Sequence, residues 1–388
     1  MQIRVLIFIP AIFSLFLLGC KKNDTNSSGM NDDGCVTATG LYHGQIIQDQ
    51  FVVFYKENIS GAGTMSRSPG DALQVLKKYQ LSGENLVQVI NGRNPGMVVK
   101  AGPAQLQLLQ SDPGIESIEP DRIISLSTCF TVVNPRLITW NIQRVGYGDG
   151  RGKTAWIIDS GIDLDHPDLN VDLMRSRSFL QNQGSAEDKN GHGTHVAGII
   201  AGKNNNIGML GIASDATIIA LKVLDEEGEG TLSAIQAALG YVEQTALPGD
   251  VVNISLGLEG ISDYLDQRVI RMANRGILFS IAAGNDGKAA MNYSPARANG
   301  LNIFTVSAVD SLNRFASFSN FGNDVIDYAA PGVRILSCFM DGKYAIMSGT
   351  SMAAPHVAGL LLLNGNKLTS TQFATNDPDG VPDPIVHK

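Results

Sequence analysis

The chain has 388 residues, of which 44% are hydrophobic and 17% charged, and a net charge of −8. This acidic balance excludes a nucleic-acid partner, which needs a basic face to neutralise phosphates. The length allows two domains, and the apolar content is enough to fill their cores.

The chain opens with Arg4 and an apolar run from Val5 to Leu18. At about 14 residues the run is shorter than a membrane span of roughly 20. It reads as the core of a signal peptide over residues 1–19. The ending Leu17-Leu18-Gly19-Cys20 resembles a lipobox, which implies lipid on Cys20; the plainer alternative is a signal peptide with an incidental cysteine. The polar stretch Lys21 to Gly34 has the composition of a disordered tether, giving a linker over 20–44. Lys21 after the cysteine points to the outer membrane, by analogy with Gram-negative lipoproteins. These features predict a bacterial cell-envelope precursor that becomes periplasmic or extracellular after processing. With Cys20 modified, Cys35, Cys129 and Cys338 remain. A Cys129–Cys338 disulfide suits an oxidising compartment, but spacing does not establish it.

Residues 45–127 read as a small α+β unit. Gln50 to Tyr55 is a strand, Asp71 to Tyr79 a helix, and Leu86 to Ile90 and Met97 to Val99 two further strands. Pro103 opens a second helix, which Ser111-Asp112-Pro113-Gly114 stops. Ile115 to Leu126 is a last extended segment. The order βαββαβ is the split βαβ arrangement.

Residues 128–388 form the second expected domain, in which apolar strands alternate with helices from about residue 150. Thr154 to Ile158, Thr217 to Val223, Val251 to Ile254, Ile277 to Ala282 and Ile303 to Val306 are continuous apolar runs, the pattern of strands covered on both faces of a parallel sheet. Such α/β sheets hold their sites at the carboxyl ends of strands.

Three motifs fall at such places. Asp159 ends a strand in Ile157-Ile158-Asp159-Ser160-Gly161; His192 lies in Asn190-Gly191-His192-Gly193-Thr194-His195; Ser351 lies in Ser348-Gly349-Thr350-Ser351-Met352-Ala353. Serine is a weak nucleophile at neutral pH and needs a base within hydrogen-bond reach. His192 is the candidate base, and Asp159 would orient it and stabilise the imidazolium. Ser351 is expected just before a helix from Met352 to Leu363, with Pro355 in its first turn. Each residue has a structural alternative. Ser351 and Asp159 suit helix caps. His192 and His195, at i and i+3, suit a metal pair, but no third ligand accompanies them. Asp163 and Asp165 compete with Asp159.

The order Asp, His, Ser and the residues around each resemble a subtilisin-like serine peptidase, nearest the proteinase K branch, over roughly residues 135 to 361. The resemblance implies a doubly wound, mostly parallel sheet with helices on both faces, following an inhibitory propeptide at 45–127. It selects Asp159 over its neighbours and makes Asn285 the oxyanion donor, for which a turn asparagine is the plain alternative. It assigns Ser255-Leu256-Gly257 and Ala282-Ala283-Gly284 to the pocket walls and Gly228-Glu229-Gly230 to the opposing edge. It also implies a structural calcium ion held by Asp168, Lys203, Asn205, Ile207 and Met209, with no cofactor for catalysis. The function implied is that of a monomeric endopeptidase. It acts on proteins or peptides through an acyl-enzyme, is broad in specificity with apolar P1 residues preferred, and cuts itself between Leu126 and Phe130. The alternative is a catalytically idle lipoprotein that binds peptides. Two further motifs carry little. Gly148 to Thr154 lacks the first glycine of a phosphate loop and precedes a strand instead of following one. Asp377-Pro378-Asp379-Gly380 lacks the closing glutamate of a calcium loop.

Overall fold

The computed structural model describes residues 45–56, 75–91, 95–125, 129–132, 138–181 and 184–388. The signal peptide, Cys20 and the tether, together with Cys35 and residues 126–128 of the expected cutting segment, lie outside them.

The N-terminal unit contains β1 (Ile46–Tyr55), β2 (Leu86–Ile90), β3 (Gly96–Lys100), helix α1 (Pro103–Gln110) and β4 (Ile115–Ser125). Of its expected first helix, Val75 to Lys78 are helical and residues 71–74 lie outside the described ones. Its strands pair antiparallel in the order β4-β1-β3-β2, as the split βαβ pattern requires. Alternate residues of β1 serve two cores: Val53 and Tyr55 pack with Leu76 and Leu109, whereas Val52 and Phe54 pack with Tyr264 of the following unit. Phe54 stacks on the Tyr264 ring at 3.7 Å. The sheet face thus buries itself against the larger unit.

After β5 (Cys129–Val132), the larger unit is built on β6 (Thr154–Asp159), β7 (Arg177–Ser178), helix α2 (His192–Ala201), β8 (Thr217–Lys222), β9 (Glu229–Thr231), helix α3 (Leu232–Thr245), β10 (Val251–Ile254), helix α4 (Asp263–Ala273), β11 (Leu278–Ala282), β12 (Ile303–Val309), β13 (Tyr328–Pro331), β14 (Ile335–Phe339), β15 (Lys343–Ser348), helix α5 (Thr350–Asn364), β16 (Thr369–Phe373) and β17 (Pro384–His387). Nine strands form one sheet in the order β16-β17-β13-β12-β11-β10-β6-β8-β7, parallel except for the terminal β16–β17 hairpin. Alternation along β6 explains the apolar runs. Ala155 and Ile157 face the core under α2 and α5, while Trp156 and Ile158 face the core under α3 and α4.

Two expectations need correction. Helix α5 starts at Thr350, so Ser351 sits inside its first turn and Pro355 falls in the second. Pro355 has no N–H, so it leaves the Ser351 carbonyl without its helical donor. The hydroxyl of Ser255 takes that place, donating to Ser351 O at 2.9 Å. The Cys129–Cys338 disulfide is also ruled out. Cys338 opposes Tyr344 on β15, while Cys129 opposes Ser348 at the far end of the same strand. That offset is about 13 Å along the sheet, beyond a disulfide's Cα reach of about 7 Å. The Cys338 thiol is free and buried.

Candidate active site

Asp159 ends β6 with its carboxylate fully buried. Its Oδ1 accepts from the Ser160 amide at 2.7 Å and lies 2.8 Å from His192 Nδ1. A carboxylate only accepts here, so Nδ1 carries a proton, and in the neutral ring Nε2 is the nitrogen left with a lone pair. Nε2 is buried and has no hydrogen-bond partner among the described residues. The close approach depends on glycine: a Cβ at Gly193 would stand 2.0 Å from Gly161 O and 3.1 Å from Asp159 Cβ.

Helix α2, which carries His192, is anchored by a residue the sequence reading passed over. Asp188 accepts from the amides of Asn190 and Gly191 with Oδ1, and from the amide and hydroxyl of Thr194 with Oδ2. A carboxylate at a helix N-terminus satisfies amides that lack helical acceptors. His195 is a core residue: its Nε2 donates to the carbonyls of Ile335 and Ala345, and burial pulls it down to about 3, so it stays neutral. It does not pair with His192 on a metal.

Ser351 is 4% exposed and is tied twice to the end of β10. Its Oγ donates to Ser255 O at 3.0 Å, while Ser255 Oγ holds its carbonyl. Strand β10 is the parallel neighbour of β6, with Ile254 opposite Ile158. Asp159 and Ser255, each one residue further on, therefore leave the sheet side by side, on strands about 4.8 Å apart. The imidazole hangs from one of them and the serine is bonded to the other.

Beyond β11, a loop presents Asn285. Its Oδ1 accepts from the Thr350 amide at 2.8 Å and the Thr350 hydroxyl at 2.9 Å, which turns the NH2 end away from Thr350. The amide assignment follows because the Thr350 N–H only donates. Thr350 Oγ1 also accepts from the Gly284 amide. Buried Asn320 braces the same loop, donating Nδ2 to Ala283 O and accepting with Oδ1 from the amides of Asp286 and Lys288. A Cβ at Gly284, whose φ is +104°, would fall 2.3 Å from Asn320 Nδ2. Thr350 had a signal, its place beside Ser351; Asn320 had none.

The expected pocket segments meet at the same sheet edge. Ser255-Leu256-Gly257 follows β10 and Ala282-Ala283-Gly284 runs out of the end of its parallel neighbour β11, with Ile254 opposite Ile281. The opposing edge, Gly228-Glu229-Gly230, is already paired. Strand β9 runs antiparallel to β4, with Glu229 opposite Ser125 and Gly230 opposite Ile124. Ile124 is 1% exposed in a core shared with Leu224 and Leu256. On the other side Cys129 pairs with Ser348, which leads through Gly349 to the helix that carries Ser351.

The calcium expectation does not fit what surrounds Asp168. Its Oδ1 accepts from Asn205 Nδ2 at 2.9 Å; its Oδ2 accepts from the Met209 amide at 3.0 Å and the Tyr344 hydroxyl at 3.2 Å. Asn205 Oδ1 faces the Ile207 amide, so its NH2 end is the one turned inward. Lys203 places its ammonium on Pro167 O. Cation ligation needs converging oxygens, whereas the Asn205 amide group, the Met209 N–H and the Tyr344 hydroxyl all donate to the Asp168 carboxylate. Among the described residues no group of three or more His, Cys, Asp or Glu is arranged to hold a metal.

The chain is similar to several known proteins. A family model described as "Subtilase family" matches residues 150–375. An alkaline serine exoprotease A of Vibrio alginolyticus is 38% identical over 282 residues, covering 69% of this chain and 51%, about half, of that protein. An extracellular serine proteinase of Thermus sp. is 33% identical over 374 residues, 90% of this chain and 87% of the relative. A solved structure of a cold-adapted subtilisin-like serine proteinase matches with a TM-score of 0.57 at 33% identity, covering 65% of this chain and 98% of that one.

Proposed function

Because the chain belongs to the subtilase family of serine-type endopeptidases, we propose that it cleaves peptide bonds with Ser351, His192 and Asp159 and is made as a self-cutting zymogen. The observation that carries the reading is the buried Asp159–His192 pair, its Nε2 without a partner, on the strand beside the one bonded to Ser351. For reaction, the Ser351 hydroxyl swings from Ser255 O towards Nε2. The imidazole takes its proton as Oγ bonds to the substrate carbonyl carbon. Asn285 and the Ser351 amide stabilise the negative oxygen. The C–N bond then breaks, the amine leaves with the proton from His192, and water releases the acyl group.

The zymogen reading rests on the path of the chain. Ser125 is held on β9, and Cys129 is held on β15 opposite Ser348, which leads to Ser351, so the described residues on either side of the expected cut are both paired with strands of the larger unit. The strand β4 fills the backbone-pairing edge a substrate would use, which makes the N-terminal unit an intramolecular inhibitor. Small apolar walls at Ala282, Ala283 and Gly284 favour apolar P1 residues. Asp225, Glu226, Glu227 and Glu229 along the edge favour basic residues at other subsites. The lipid expected on Cys20 lies on the propeptide side of the cut, so processing frees the enzyme from the membrane.

The test is labelling by a fluorophosphonate together with N-terminal sequencing. The chain should label at Ser351 and begin between residues 127 and 130, whereas Ser351→Ala should neither label nor process. An unlabelled, uncut but folded wild type overturns the reading.

A further inference from the structure

A buried lysine stands behind the Asp159–His192 pair and has no part in the steps above. Lys222 ends β8, is 1% exposed, and lies in register with Asp159 on the neighbouring strand. Ala220 and Ile157, two residues back on each strand, belong to the same core, so Lys222 and Asp159 project to the same face of the sheet. The Lys222 ammonium donates to Ser160 O. Ser160 is the hub of the arrangement. Its amide donates to Asp159, its hydroxyl donates to Asp188 Oδ1 at 2.9 Å, and that same hydroxyl accepts from the Gly193 amide. One cation thus sits among two buried carboxylates, one holding the imidazole and the other holding its helix.

We propose that Lys222 is an electrostatic positioning residue: it is the counter-charge of Asp159 and Asp188, and it sets the pH at which His192 can act as a base. This rests on the peptidase reading above. The charged groups facing Lys222 are Asp188, Asp225, Asp159 and Glu187; burial lowers its proton affinity and these carboxylates oppose the fall. The groups facing His192 are Asp159 and, within α2, His195, which stays neutral. With His192 neutral, the charges of Asp159, Asp188 and Lys222 sum to one negative charge. As the imidazolium forms, that charge is balanced. A buried charge acts through low-dielectric surroundings and is little screened by salt.

The experiment is the pH dependence of kcat/KM on a small peptide substrate. In Lys222→Met the surroundings become more negative, which favours the imidazolium, so the acid limb should move to higher pH by about half a unit or more. In Asp188→Asn they become less negative, and the acid limb should move to lower pH. Both shifts should persist in 1 M salt. A merely structural role lowers the melting temperature without moving either limb. Where one variant fails to fold, the direction seen in the other decides. Limbs that stay in place, or that move the same way in both variants, overturn the proposal. A wild type that neither turns over substrate nor labels with a fluorophosphonate overturns the peptidase reading instead.

Discussion

Ser255 and Ser351 hold each other by two hydrogen bonds, each hydroxyl donating to the other's carbonyl. The bond from Ser255 has a covalent cause: Pro355 cannot supply the helical amide that Ser351 O would otherwise receive. In Ser255→Ala that buried carbonyl loses its partner, at a cost of about 1–3 kcal/mol. The melting temperature should fall, while the site keeps its ability to label with a fluorophosphonate. Unchanged stability would mean that another donor reaches Ser351 O.

The oxyanion loop makes a separable prediction. In the proposed role Asn285 donates to charge that develops only in the transition state, so in Asn285→Ala kcat should fall by about 10²–10³ with KM nearly unchanged. Thr350→Val leaves Asn285 in place but removes the hydroxyl that bridges it to the Gly284 amide. It should lower kcat by a smaller factor, about tenfold, because the Thr350 amide still holds Oδ1. Steady-state kinetics on one peptide substrate separate the two. A KM effect larger than the kcat effect in Asn285→Ala would assign Asn285 to ground-state binding instead.

These two cases show what was legible beforehand. The strands of the large sheet stood out because burial on both faces leaves an unbroken apolar run, whereas the choice of Asp159 among its acidic neighbours and the assignment of Ser255 and Ala282 came from the resemblance. The start of α5 was misplaced because the local pattern could not know that Ser255, distant in sequence, supplies the bond Pro355 removes. Lys222 was hidden inside an apolar run, where its charge was the only clue. Asn320 and Asp188 act through loop amides whose meeting is set by tertiary structure. The calcium ligands were carried over by resemblance, and Tyr344, whose hydroxyl now reaches Asp168, lies in a different part of the sequence.

That hydroxyl gives a further test. With Asp168 already receiving three donors, removing divalent cations should leave the melting temperature within about 1–2 °C of its value in millimolar calcium. Tyr344→Phe should destabilise the protein in both conditions alike, by about 1 kcal/mol. Calorimetry with and without a chelator is the measurement. A large calcium-dependent rise would show that the loop opens to ligate a cation after all.

The contact between the two units should respond to pH. The N-terminal unit inserts carboxylates at the starts of two helices of its partner. Asp121 accepts from the amide and hydroxyl of Ser233 in α3, and Glu119 Oε2 accepts from the hydroxyl of Ser262, which also caps α4. Helix N-termini favour such charge, but burial outweighs that here. Glu119 Oε1 and Asp266 Oδ1 are both buried without hydrogen-bond partners among the described residues. Burial first, then the charges of Asp266, Asp121 and Asp263, push Glu119 from 4.5 up to about 7; burial also pushes Asp266 to about 7 against the pull of Ser294 and Arg297. A carboxyl whose affinity for protons is raised in the docked state binds more protons there than when the units part. Their contribution to docking is therefore full below about pH 4.5, is lost as the pH rises, and falls no further above about 7. For Glu119 the full change is on the order of 3 kcal/mol. With the proposed self-cutting, the lag before activity appears should shorten as the pH is raised from 5 to 8, and Glu119→Gln, which cannot ionise, should flatten that dependence. A lag that is the same at both ends of the range, or longer at the alkaline end, would show that these carboxyls do not govern release of the N-terminal unit.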